Sequence, residues 1–288
     1  MIGNLIGVLF DGVAYGSLLF IIAVGLSVTL GLMNFINLAH GAFAMVGGYV
    51  AVVGMNRAGV PFLATLPIAF VASAIVGIVL ERVLYQRLYR ANPLDQVLFS
   101  IGLVYVSIAI ATYLFGPSQQ PVVRPEFLRG QTEIFGKGFG VYRLFLIATV
   151  AVLTMALQWL LVRTRFGASV RASVDNAVAA AGLGINVNRV FAMTFALGSG
   201  LAGLGGALGI DVLGLDPTFP LKYLVYFLLV VAVGGVGTIK GPLVAALILG
   251  VFDVAGKYYV PEVGAFVIYA LMVVLLVLFP AGLYGRRA

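Results

Sequence analysis

Apolar stretches long enough to cross a bilayer follow one another almost from end to end of this chain. A helix needs about 20 such residues to span ~30 Å of hydrocarbon. The plain stretches are 5–31, 62–81, 94–115, 141–162, 188–210 and 263–280. Two more are less uniform. The stretch 34–55 opens with Asn34, Asn37 and His40, and 221–257 is interrupted by GGVGTIKGP, Gly234 to Pro242, which divides it into two short spans. Backbone amides in lipid have no water to bond, so an unbroken apolar run satisfies them as a helix. The expectation is an all-α polytopic membrane protein with eight or nine transmembrane helices, depending on whether 34–55 crosses or dips in and returns. Charged residues are only 9% of the chain and mean hydropathy is +1.14, against about 25% charged in soluble domains. Residues 1–288 read as a single transmembrane domain. The N-terminus, MIGNLIGVLFDGVAYG, lacks the basic n-region of a signal peptide and is expected to be retained.

One polar island interrupts this pattern: RTRFGASVRASVDNAVAAAGLGINVNR, from Arg163 to Arg189. Val170, Val174, Val178 and Ala181 recur at helical steps. Arg171 and Asp175 lie one turn apart on another face, where they can pair. Ser169 can cap the start, and Gly182 or Gly184 can end the helix. The insertion at about 165–187 is therefore expected to be a short amphipathic helix. It either serves a partner at the membrane surface or is a solvated loop helix. Placing the 82–93 and 163–187 loops in the cytoplasm puts ten Lys and Arg on that side and seven on the other, the expected sign of the bias. The C-terminus is then cytoplasmic, and the Pro- and Gly-rich segment at about 116–140 is the longest external loop.

Several chemistries are excluded. There is no Cys and one His, so thiolate chemistry and an HExxH zinc site are absent. No paired acids lie within a span to support an enzyme site. The net charge of +7 does not indicate nucleic-acid binding, because no block of five Lys or Arg exists. Gly198-Ser199-Gly200-Leu201-Ala202-Gly203 matches GxGxxG but sits inside an apolar helix without strand–helix context. Gly198, Ala202 and Gly206 instead form a small-residue stripe suited to close packing in lipid. GGVGTIKG is no P-loop, since Ile239 precedes Lys240. ATP, if used, belongs to another chain.

Polar residues inside spans are expensive and point to function. Asn34, Asn37 and His40 are spaced by three, with Gly41 beside them. They suit a broken helix lining a translocation path, or they bond to neighbouring helices and hold the bundle together. Asp11 and Asp253 call for a Lys or Arg partner or a place near the interface.

GLSVTLGLMNFINLAHGAFAMVGGY resembles the N-terminal signature of the LivH-type permeases of branched-chain amino acid ABC importers. The island is similar to that family's second signature: Arg171-Ala172-Ser173-Val174-Asp175-Asn176, then Leu183-Gly184-Ile185-Asn186, then Arg189-Val190-Phe191-Ala192-Met193-Thr194-Phe195. GGVGTIKGP and PAGLYGR, Pro280 to Arg286, resemble two further motifs, and Glu81-Arg82 falls where the family has its Glu-Arg. Ala177-Val178 and Gly182 depart from the usual, more polar pattern. The resemblance implies a permease pairing with a second homologous permease in a bacterial cytoplasmic membrane. Two cytosolic ABC ATPases would bind ATP and Mg, an external protein would deliver the solute, and this chain would carry no cofactor. It implies a coupling helix in which Arg171, Val174, Asp175, Asn176, Val178, Leu183 and Gly184 meet the ATPase. Relatives with this pattern handle leucine-type amino acids, other amino acids, amides or urea. The alternative is a secondary transporter or channel that works without a motor, favoured by the interruptions at 34–41 and 234–242.

Overall fold

The computed structural model describes residues 2–33, 35–89, 91–122, 125–134 and 137–284. Asn34 lies outside them, as do Arg90, Arg124, Arg286 and Arg287 of the residues used for sidedness. Helix α1 (Ile2–Met33) is followed by α2 (His40–Ala58) and α3 (Phe62–Leu80). A π-helical turn, Glu81–Tyr85, carries α3 into α4 (Gln86–Leu88). Then come α5 (Pro93–Phe115), a hairpin of β1 (Gln131–Ile134) and β2 (Lys137–Gly140), and α6 (Val141–Arg163). The island forms α7 (Arg165–Asp175) and α8 (Ala177–Gly182). The chain closes with α9 (Val187–Leu213), α10 (Phe219–Gly234), α11 (Lys240–Tyr259) and α12 (Gly264–Leu278).

Among the described residues, six helical stretches are long and apolar enough to cross a membrane: Asn4–Gly31, Phe62–Leu88, Pro93–Phe115, Val141–Arg163, Val187–Leu213 and Lys240–Tyr259. Helices α10 and α12 are shorter and apolar. The protein is an all-α, multi-pass membrane protein with one small hairpin. The segment 34–55 is not helical from its start: residues 35–39 are irregular or turn, and α2 begins at His40, which is buried.

The bundle is built around α1 and α9. Leu18 to Val24 on α1 are each at most 1% exposed, and on α9 Ala202, Ala207 and Leu208 are fully buried. Lipid supplies no hydrophobic drive between helices, so close van der Waals approach must hold them. The small-residue stripe of α9 provides it on two sides. A Cβ at Gly198 would stand 3.0 Å from the Gly25 carbonyl oxygen of α1, and one at Gly206 would stand 1.9 Å from that of Ala44 on α2. The outer faces of α5, α6 and α12 expose Tyr113, Trp159 and Phe266, as a bilayer-facing shell does.

The hairpin was not legible as strands. It pairs Gln131 with Gly140 and Ile134 with Lys137, antiparallel, and Phe139 packs edge-on against Phe10 of α1 at 4.6 Å. Four-residue strands are too short to show a period against a Gly-rich loop. Asp11 and Asp253 both have basic partners: Asp11 pairs with Arg143, and Asp253 with Lys257 at 2.6 Å.

Candidate functional site

The island lies at the end of α6 opposite the hairpin, and a chain of caps builds its shape. Thr164 Oγ1 accepts from the Gly167 amide at 3.2 Å and starts α7. Ser169 therefore does not cap; it lies inside α7 and donates to the Arg165 carbonyl at 3.0 Å. The helix breaks at Asn176 (φ −158°), whose Oδ1 accepts from the Ala179 amide at 2.9 Å and starts α8. Asn favours such caps because its side chain replaces the missing backbone partner. Helix α8 ends in a Schellman motif: Ile185 N–H bonds the Ala180 carbonyl at 3.1 Å, Gly184 N–H bonds that of Ala181 at 3.0 Å, and Gly184 has φ 85°. Asn186 Oδ1 then accepts from the Arg189 amide at 3.0 Å and starts α9.

The break divides the valine stripe. Gly167, Val170, Ser173 and Ala180 are buried against the bundle. Val174, Val178 and Leu183 are 46%, 84% and 83% exposed. Arg171 Nη1 donates to the Leu161 carbonyl and ties α7 back onto α6. Asp175 and Asn176 stand exposed at the junction of the two helices.

Of the residues read as path lining, Asn37, His40 and Gly41 are buried within the bundle. Asn37 Oδ1 accepts from Tyr85 Oη at 2.9 Å and from the Ala39 amide at 3.0 Å. His40 Nε2 is 2.8 Å from the Ile22 carbonyl oxygen. A Cβ on Gly41 would stand 3.0 Å from Pro220 Cα at the start of α10. Buried polar groups need partners, and here Tyr85 supplies one for Asn37 and the Ile22 carbonyl one for His40.

Sequence reading missed Tyr85, Tyr89 and Gln96. Gln96 Oε1 accepts from the Ile36 amide at 3.4 Å, and its Nε2 donates to the Leu88 carbonyl at 3.2 Å. Tyr89 Oη donates to Glu81 Oε1 at 2.5 Å. Burial first, and this bond second, raise the Tyr89 hydroxyl well above the usual phenol range, so it stays protonated. The signal available was Glu81, a carboxylate closing an apolar stretch.

Four segments distant in sequence converge at the island side. A Cβ on Gly25 would stand 2.3 Å from the Gly198 carbonyl oxygen, and one on Gly31 would stand 2.2 Å from Gly237 Cα. Gly237 N–H bonds the Ser27 carbonyl at 3.1 Å, and Leu283 N–H bonds that of Val233 at 2.7 Å. These contacts fall within or beside the segments whose motifs resemble a permease. The family described as branched-chain amino acid transport system / permease component matches residues 8–276.

The chain belongs to this family.

The permease is 28% identical to the high-affinity branched-chain amino acid transport system permease protein BraD of Pseudomonas aeruginosa, over 96% of this chain and 95% of that protein. It is 27% identical to LivH of Escherichia coli K12, over 96% and 94%. With a probable LivH of Methanocaldococcus jannaschii the identity is 28%, over 96% of the permease and 92% of the relative. No solved structure matches it significantly.

Proposed function

We propose that this chain is one membrane-spanning half of an ATP-driven importer and forms, with a second homologous permease, the path for branched-chain or related amino acids. The observation that carries this reading is the exposed apolar surface of Val174, Val178 and Leu183 on a rigidly capped island. Large exposed apolar side chains rimmed by polar ones mark a docking site, and because this chain has no P-loop, the ATP that drives it is bound by another chain. Two cytosolic ATPases, holding ATP and Mg, dock there. Arg171, Asp175, Asn176 and Gly184 set the shape of the docked element and Val174, Val178 and Leu183 fill the ATPase cleft. When the ATPases close, the docked helices move with them and tilt the bundle between two rigid-body states. Residues 1–288 work as one transmembrane unit of the bacterial cytoplasmic membrane, with the island and the C-terminus in the cytoplasm. On the opposite side a cavity of about 440 Å³, lined by Asp11, Phe139, Tyr142, Arg143 and Asp211, faces the solute-binding protein.

The test replaces the exposed apolar pair by charge, Val178→Glu with Leu183→Glu. Uptake and stimulated ATP hydrolysis should disappear while membrane insertion is retained. Normal uptake by that variant, or uptake by the purified chain alone along an ion gradient, overturns the reading.

A further inference from the structure

Just past α3 the backbone makes its π-helical turn, Glu81–Tyr85. Such wide turns occur mostly as single-turn insertions, often at functional sites. Glu81 on this turn is fully buried, a costly place for a carboxylate unless it is hydrogen-bonded. Tyr89 Oη meets it at 2.5 Å, Gln86 Nε2 at 3.5 Å and Arg82 Nε at 3.6 Å. Tyr85, also fully buried, directs its hydroxyl the other way, onto Asn37 in the irregular segment between α1 and α2.

The rings of the same two tyrosines rest on α9. Tyr89 stands edge-on to Phe191 at 5.7 Å, and Tyr85 lies 4.8 Å from Phe195. Phe35 closes the group, 5.1 Å from Tyr85 and 6.3 Å from Tyr89. Phe191 and Phe195 are one turn apart in the first turns of α9, directly after the Asn186 cap that ends the island. A displacement of α7 and α8 therefore enters α9 through continuous, capped backbone. It then meets close-packed aromatic rings, which transmit strain rather than absorb it. Beyond the rings lie two hydroxyls, one bonded to the π turn and one to Asn37. Gln96 ties the adjacent Ile36 amide to α5 at 3.4 Å, a second attachment of the same segment.

We propose that Tyr85 and Tyr89 are positioning residues that relay the movement of the island to the broken segment 35–39, with Glu81 as the fixed anchor of the relay. The inference rests on the ATP-driven reading above. Its chemistry is specific: the rings receive the movement, the Tyr85 hydroxyl passes it to Asn37, and the Tyr89 hydroxyl holds the pair to Glu81.

The experiment uses the complete importer, this permease with its partner permease and ATPases, reconstituted in liposomes with its solute-binding protein and leucine as the probe. Tyr85→Phe and Tyr89→Phe keep the rings and remove only the hydroxyls. The relay predicts that leucine carried per ATP hydrolysed falls about fivefold or more, the lower range of coupling between sites, while assembly and ATP hydrolysis stay near wild type. Tyr223→Phe is the control, since it removes a buried hydroxyl that bonds the Leu213 carbonyl at 2.6 Å, away from the π turn; it should leave the ratio unchanged. An unchanged ratio in both relay variants, an equal fall in the control, or a loss of assembly, which marks a structural role, overturns the relay. Failure of the parent reading shows separately, as leucine uptake by the wild-type complex without ATP hydrolysis.

Discussion

At the residue scale the glycines of this permease have opposite jobs, and substitution separates them. A Cβ on Gly206 would collide with the Ala44 carbonyl oxygen at 1.9 Å, backbone against backbone. Gly206→Ala should cost at least the about 1–3 kcal/mol of an overpacked core, read as a lower Tm in detergent. Gly182 has nothing within 4 Å of its Cβ direction and closes α8 with helical geometry. Gly182→Ala should therefore raise stability slightly, by up to about 1 kcal/mol, through helix propensity. Gly184 also meets open space but has φ 85°, so Gly184→Ala should cost about 1–2 kcal/mol from backbone strain alone. The spacing of Gly198, Ala202 and Gly206 was visible in the sequence as a packing stripe. Which glycine tolerates a methyl was not, because the answer depends on atoms from other helices.

At the element scale the island was legible as a helix and its break was not. The valine period runs through Asn176 without interruption, and Asn carries only a small propensity penalty inside a helix. Its cap bond to Ala179 compensates the break, because it satisfies an amide that a new helix start would leave unbonded. Asn176→Ala should remove about 1 kcal/mol of this capping and weaken ATPase stimulation, with insertion intact; hydrolysis assays on the reconstituted complex check it. The start of α7 went wrong for a similar reason: Thr164 and Ser169 are both competent caps, and only the position of α6 makes Thr164 the boundary. The sequence suggested an interruption around Asn34, Asn37 and His40, and residues 35–39 are irregular or turn before α2. Their partners, Tyr85, Gln96 and the Ile22 carbonyl, lie on three other elements.

At the scale of the whole molecule, the permease draws four distant motifs to one side of the bundle. The closing segment pairs with the end of α10, where Leu283 N–H bonds the Val233 carbonyl. The chain has no Cys, which makes a clean test possible. Val233→Cys with Leu283→Cys should form a disulfide under mild oxidation, seen as a mobility shift reversed by reductant, whereas Leu283→Cys with Trp159→Cys should not. Absence of the first cross-link would show that these segments are apart.

Class, helix positions and the existence of a polar island follow from the sequence alone, because hydrocarbon forces long apolar runs into helices whatever their neighbours are. The family resemblance was legible for a related reason: its motifs sit at breaks and helix ends, where Gly, Asn and Pro are locally required. Tertiary structure alone decided which polar groups face outward. Asn37 and His40 are turned into the bundle, where Tyr85 and the Ile22 carbonyl on other elements bond them, and Val178 and Leu183 are turned out of it, because the contacts between helices are not written in any one of them.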